Sequence, residues 1–123
     1  MSQDYGKIKS KFSLPIQTVT IVPCTTGINK IISKDKCELR GKEVREKMID
    51  LFGGYTEIQG QGGYFSDSLN KKVREPVITV TSYASEQDFK KKKKEWLNYV
   101  KKKGKDFKQE SMGIIIENDL HYV

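Results

Sequence analysis

Histidine is almost missing from this 123-residue chain: His121 is the only one. An imidazole general base needs a partner within hydrogen-bond reach and usually an orienting group. Glu117 and Asp119 are near it only in sequence, so a catalytic role for His121 is not expected. Cysteine is nearly as scarce. Cys24 and Cys37 are too few for a disulfide scaffold and are expected to be free, inert thiols. With one histidine they cannot complete a structural zinc site without carboxylates, so no metal is expected. Arginine is rare too: only Arg40, Arg45 and Arg74 among 23 basic residues. Arginine makes planar bidentate contacts where lysine supplies diffuse charge, so these three are the more informative cations. No apolar run is long enough to cross a membrane as a helix. The opening segment MSQDYGKIKSKF has no apolar signal core, which points to the cytoplasm.

What is present is a charged, glycine-punctuated α+β pattern. Charged residues make up 32% and apolar residues 36%, which suits one domain with a heavily solvated surface. Residues 1–13 are polar and aperiodic and read as a flexible N-terminal arm, leaving residues 14–123 as a single domain. LPIQTVTIV (residues 14–22) alternates and is β-branched, a strand ended by Pro23. Residues 24–35 can be read as an extra strand or a helical turn. Leu39, Val44, Met48, Leu51 and Phe52 mark a helix over 36–52, stopped by Gly53 and Gly54. A second strand over 54–65 is interrupted by Gly60, Gly62 and Gly63, which suggests a bulge, a bend or close approach of a ligand. A third covers 73–83, with Pro76 suggesting an edge or bulge. A second helix over 85–103 begins at a Ser85–Asp88 capping pair and closes at Gly104. A last strand covers 112–118.

That order is the ferredoxin-like βαββαβ arrangement, an antiparallel sheet with two helices on one face. Alternation assigns Val19, Ile21, Ile78 and Val80 to the helix-covered face. The open face would then carry Thr18, Thr20, Thr79, Thr81 and Tyr83.

The stretch Gly60-x-Gly-Gly is no phosphate loop, because it lacks the Lys-Ser/Thr ending and a following helix. Glu43 and Glu46 read as a solvated face with Lys42 and Lys47. Ten lysines against four carboxylates in residues 86–108 hold six of the chain's seven net positive charges. Non-specific nucleic-acid binding, a solvated face and steering of anionic partners are the three readings of that charge.

The series Gly54-Tyr55-Thr56, Gly60, Gly62 and Tyr64, then Arg74-Glu75, then Gln109-Glu110-Ser111, resembles an uncharacterised family of small bacterial domains. That family carries Gly-x-Thr, Gly-x-Gly-x-aromatic, Arg-Glu and Gln-Glu-Ser/Ala in the same order. The resemblance covers roughly residues 51–115 and implies the fold; it carries no activity. The reading favoured by these features is a non-enzymatic protein that binds a small anionic, nucleotide-type ligand, without a cofactor and as a homo-oligomer. Phage proteins that sequester immune nucleotide signals have this general size and style. The expected ligand-binding residues are Arg45, Gln59, Gln61, Tyr64, Arg74, Thr79, Thr81 and Tyr83. The alternatives are a nucleic-acid binder using the lysine-rich helix and a small enzyme acting on a nucleotide or phosphorylated substrate.

Overall fold

A computed structural model describes residues 12–27 and 30–123. Most of the arm expected over 1–13 lies outside the described residues. Five strands and two helices follow in the order β1 (Ile16–Pro23), α1 (Lys34–Phe52), β2 (Thr56–Ser66), β3 (Lys71–Ala84), α2 (Glu86–Asp106), β4 (Gly113–Ile116) and β5 (Asp119–Tyr122). The class is α+β. The sheet runs β2-β3-β1-β4-β5 and every pairing is antiparallel. It is not a plain four-stranded ferredoxin-like sheet, because β5 extends the edge beyond β4. Glu117 adopts a left-handed φ of 59° and, with Asn118, turns the chain back on itself. A positive φ at a two-residue turn matches the twist of a hairpin. In place of the expected single last strand over 112–118 there are therefore two short strands, paired from Gly113↔Tyr122 to Ile116↔Asp119.

Both helices pack on one face, around a core of Val22, Val44, Met48, Ile78, Val80, Trp96, Val100 and Ile114. The register corrects the expected face of β1. Thr20 pairs with Val80, and Val22 with Ile78, so the even-numbered residues of β1 look toward the helices. Thr18 and Thr20 are about 1% exposed, while Val19 and Ile21 turn to the open face. Hydroxyls can enter a core when they are bonded. Thr18 Oγ1 donates to the Ser82 carbonyl at 3.1 Å, and Thr20 Oγ1 accepts the Trp96 indole N–H at 3.1 Å. Alternation alone cannot see these partners, which come from other elements.

Other boundaries moved for local reasons. Gly104 does not close α2, which continues to Asp106. A Cβ there would stand 2.9 Å from Met112 Cγ, so glycine is needed for close packing against the chain entering β4. Ser85 does cap α2, accepting from the Asp88 N–H at 3.1 Å. Leu39 is 56% exposed and leaves the apolar stripe of α1, where Gly41 takes a buried place against Ile78. Pro76 sits in unbroken β2–β3 register opposite Gln61, just past the end of β1, and its carbonyl accepts the Cys24 N–H at 3.0 Å. The glycines of β2 mark no bulge, since pairing runs without interruption from Thr56↔Thr81 to Ser66↔Lys71. Glu43 bonds Lys103 at 2.9 Å and Lys47 bonds Glu95 at 2.8 Å, so these charges tie the two helices together.

The segment after β1 resolves as a short excursion. Thr25 bridges Ile31, and the Ile32 N–H returns to the Cys24 carbonyl at 3.0 Å. That return brings the first turn of α1 against the end of β1. Cys24 and Cys37 are joined by a disulfide across a Cα–Cα distance of 5.1 Å, which corrects the expectation of free thiols. The span lies within the range a disulfide bridges. No helix among the described residues is long and apolar enough to cross a membrane.

Two stability tests follow from this packing. Thr20→Val strands the buried indole N–H of Trp96. It should lower unfolding free energy by about 1–3 kcal/mol in urea titrations, with the fold retained by circular dichroism. Tyr99 is half-buried. Burial first, then Glu43, Asp106 and Glu46, push its pKa from 10.0 up to about 12. A folded pKa above the unfolded value favours the protonated phenol, so its contribution is complete below about pH 10 and is lost as pH rises toward 12. Denaturation at pH 9 and pH 11 should show a smaller loss for Tyr99→Phe than for the parent chain.

Candidate functional site

The eight residues expected to bind ligand divide between the two faces of the sheet. Tyr64, Thr79, Thr81 and Tyr83 share the open face. Gln59, Gln61 and Arg74 fall in register on the opposite side, opposite Ile78, Pro76 and Gly63. Arg45 projects from α1 and pairs with Glu57 of β2 at 3.2 Å, again on the helix side. The open-face set is also long. Tyr64 lies opposite Val73, ten positions along β3 from Tyr83, about 33 Å at the rise of a strand. No small ligand can touch both tyrosines of one subunit. Sequence proximity concealed this, because the β2–β3 hairpin is long and its two ends are remote.

At the Tyr83 end lies a shallow groove of about 210 Å³, lined by Leu14, Phe52, Tyr55, Thr81 and Tyr83 among others. Tyr83 accepts a hydrogen bond from Gln17 Nε2 at 3.1 Å.

The Tyr64 end is chemically richer. Tyr64 and Glu75 are diagonal neighbours on the open face, since Gly62 pairs with Glu75 and Tyr64 with Val73. Such diagonals lie within reach of long side chains. The phenol of Tyr64 is held above its usual pKa of 10.0, first by burial, then by the charges of Glu75 and Glu110. Glu75 Oε2 accepts a 3.0 Å hydrogen bond from the hydroxyl of Thr25, which is fully buried at the end of β1. The Thr25 carbonyl in turn accepts from Arg40 Nη1 at 2.7 Å and from Gln109 Nε2 at 2.8 Å. Arg40 also bonds the Pro23 carbonyl at 2.7 Å and lies 4.3 Å over the Phe107 ring. Burial lowers the pKa of Arg40, and the nearby Glu43 opposes that shift. The end of β1 is thus held by a half-buried guanidinium, an amide and the Cys24–Cys37 disulfide.

The corner brings together the Tyr64 phenol of β2, the Glu75 carboxylate of β3 and the buried Thr25 hydroxyl just past β1, and the charge of Glu110, from the turn after α2, acts on the phenol. Its carboxylates favour a cationic group by Coulomb attraction. Of the eight expected residues only Tyr64 belongs to it. Thr25, Glu75, Gln109 and Glu110, which lie at or next to it, were not among the eight. The signal for three of them was on the page, because Arg74-Glu75 and Gln109-Glu110-Ser111 are two pieces of the motif series that carries the family resemblance. Among the described residues no group of three or more histidine, cysteine or carboxylate side chains is placed to hold a metal.

Glu75→Gln removes one of the charges that raise the Tyr64 pKa. An ultraviolet titration of that variant should show this phenol ionising at lower pH than in the parent chain. Tyr64→Phe identifies the transition.

No protein-family model matches the chain, and no curated protein matches it by sequence. Among solved structures it is similar to a phage S-adenosylmethionine (SAM) lyase in complex with S-methyl-5'-thioadenosine. The TM-score is 0.65 at 17% identity, covering 94% of this chain and 95% of that one. It is similar also to a phage SAM lyase in the apo state, with a TM-score of 0.64 at 16% identity, covering 96% and 95%. What is shared at this identity is the fold, across nearly the whole length of each chain.

Proposed function

We propose that this protein binds a nucleoside of the S-adenosylmethionine class at the Tyr64–Glu75–Glu110 corner and cleaves it as a lyase. The observation that carries the reading is the convergence of a phenol and two carboxylates, in a fold shared end to end with phage SAM lyase. S-adenosylmethionine carries a positive sulfonium. Carboxylates favour that charge by simple Coulomb attraction, and an aromatic face adds cation–π attraction. Cleavage to S-methyl-5'-thioadenosine breaks the bond between sulfur and the methionine γ-carbon. Sulfur keeps the electron pair and becomes a neutral thioether, so the product loses the charge that the carboxylates hold. A lyase adds no water. The four-carbon fragment must therefore lose a proton or close onto its own carboxylate. In this reading Glu75, anchored by Thr25, orients that fragment.

This reading keeps the small nucleotide-type ligand expected from the sequence and replaces its anionic character with a cationic one. It also moves the weight from a pure binder toward the enzyme alternative. The phage and anti-defence setting rests on the same structural likeness, and cytoplasmic action agrees with an intracellular metabolite as ligand. For a homo-oligomer, the surface to bury is the open face of the sheet, where Ile58, Leu120 and Tyr122 are 61%, 51% and 70% exposed.

Incubation with S-adenosylmethionine should yield S-methyl-5'-thioadenosine by liquid chromatography. Tyr64→Phe and Glu75→Gln should each slow turnover about a hundredfold or more while leaving the circular dichroism spectrum intact. A rise in melting temperature with S-adenosylmethionine but no product would reduce the reading to a binder. Neither product nor a shift would overturn it.

A further inference from the structure

Most of the net positive charge of this chain sits along α2, and the fold sorts it. At 3.6 residues per turn, Asp88, Glu95 and Asp106 fall on one side of the helix. On that side Glu95 bonds Lys47 at 2.8 Å, and Lys103 bonds Glu43 at 2.9 Å and lies 3.8 Å from Asp106. Roughly a third of the way round the helix, a solvent edge carries Lys90, Lys94, Lys101 and Lys105 with Asn98 between them, all exposed. Among the described residues none of these four lysines takes part in an ion pair. Lys90 and Lys94, and Lys101 and Lys105, are like-charge pairs four residues apart, an arrangement that disfavours an isolated helix. An open groove of about 310 Å³ runs beside this edge, floored by Leu97.

We propose that this edge of α2 docks the phosphate backbone of a duplex nucleic acid without reading its sequence. The four lysines span about 22 Å along the helix axis, a length that meets several successive phosphates. Lysine gives point charge without the planar fork that arginine uses on base edges, so the contact is electrostatic and sequence-tolerant. Duplex is favoured over single strand because α2 presents no stacking platform. Trp96 is fully buried, Phe89 packs edge-on against it at 6.5 Å, and Tyr99 is half-buried beneath Lys47 and Lys103. Single-strand binders rely on such aromatics being open.

The test is fluorescence anisotropy of two unrelated short duplexes and one single strand over a salt series. The variant Lys90→Gln/Lys94→Gln/Lys101→Gln/Lys105→Gln is compared with Lys34→Gln/Lys36→Gln/Lys42→Gln/Lys71→Gln, which removes equal charge elsewhere. The parent chain should bind both duplexes alike. The α2 variant should lower the slope of log affinity against log salt by about 3 to 4, near 0.9 per lost phosphate contact, and the control variant should leave it nearly unchanged. Equal losses in both variants, tighter binding to the single strand, or no duplex binding at low salt would each overturn the proposal. Melting shifts with S-adenosylmethionine, read on the same variants, report on the other site separately.

Discussion

Trp96 is buried completely and gives its indole N–H to the hydroxyl of Thr20 at 3.1 Å. Thr20 lies on β1, the strand that pairs with β3 on one side and β4 on the other. The bond therefore ties α2 to the middle of the sheet and sets which face of β1 is inside. Phe52 and Phe89 meet the same indole edge-on, at 6.1 and 6.5 Å, so the end of α1 and the start of α2 are referred to one point. With the faces of β1 settled, the neighbouring strands follow by register, and Thr25 must emerge on the side of Glu75.

The acidic corner is built from that consequence. Its groups stand on four separate segments, and each is held by backbone contacts that the sheet and helices impose. Arg40 reaches from α1 to two carbonyls at the end of β1, and Gln109 reaches the second of them from the turn after α2. Thr25 then has one orientation in which its hydroxyl meets Glu75. A carboxylate fixed in this way can favour a cationic ligand without having to reorganise when the ligand arrives.

The same chain places its cations elsewhere. Ion pairs join α2 to α1 through Glu95 and Lys103, and a separate lysine edge faces solvent.

Local chemistry settled much of this protein in advance. Apolar spacing located both helices, Ser85 and Gly53 their ends, and β-branched runs the strands, because these features depend on residues a few positions apart. The motif pieces around Tyr64, Glu75 and Glu110 were visible as separate fragments. Tertiary structure decided what spacing cannot express. Thr20 goes inward because a tryptophan 76 residues away donates its indole N–H to the hydroxyl. Cys24 and Cys37 meet because the intervening loop doubles back. Tyr64 and Tyr83 part because a strand is extended, while Tyr64, Glu75 and Glu110 come together because three chain segments end at one corner of the sheet. Each of these depends on long-range pairing, and a site assembled from distant segments exists only once that pairing is made.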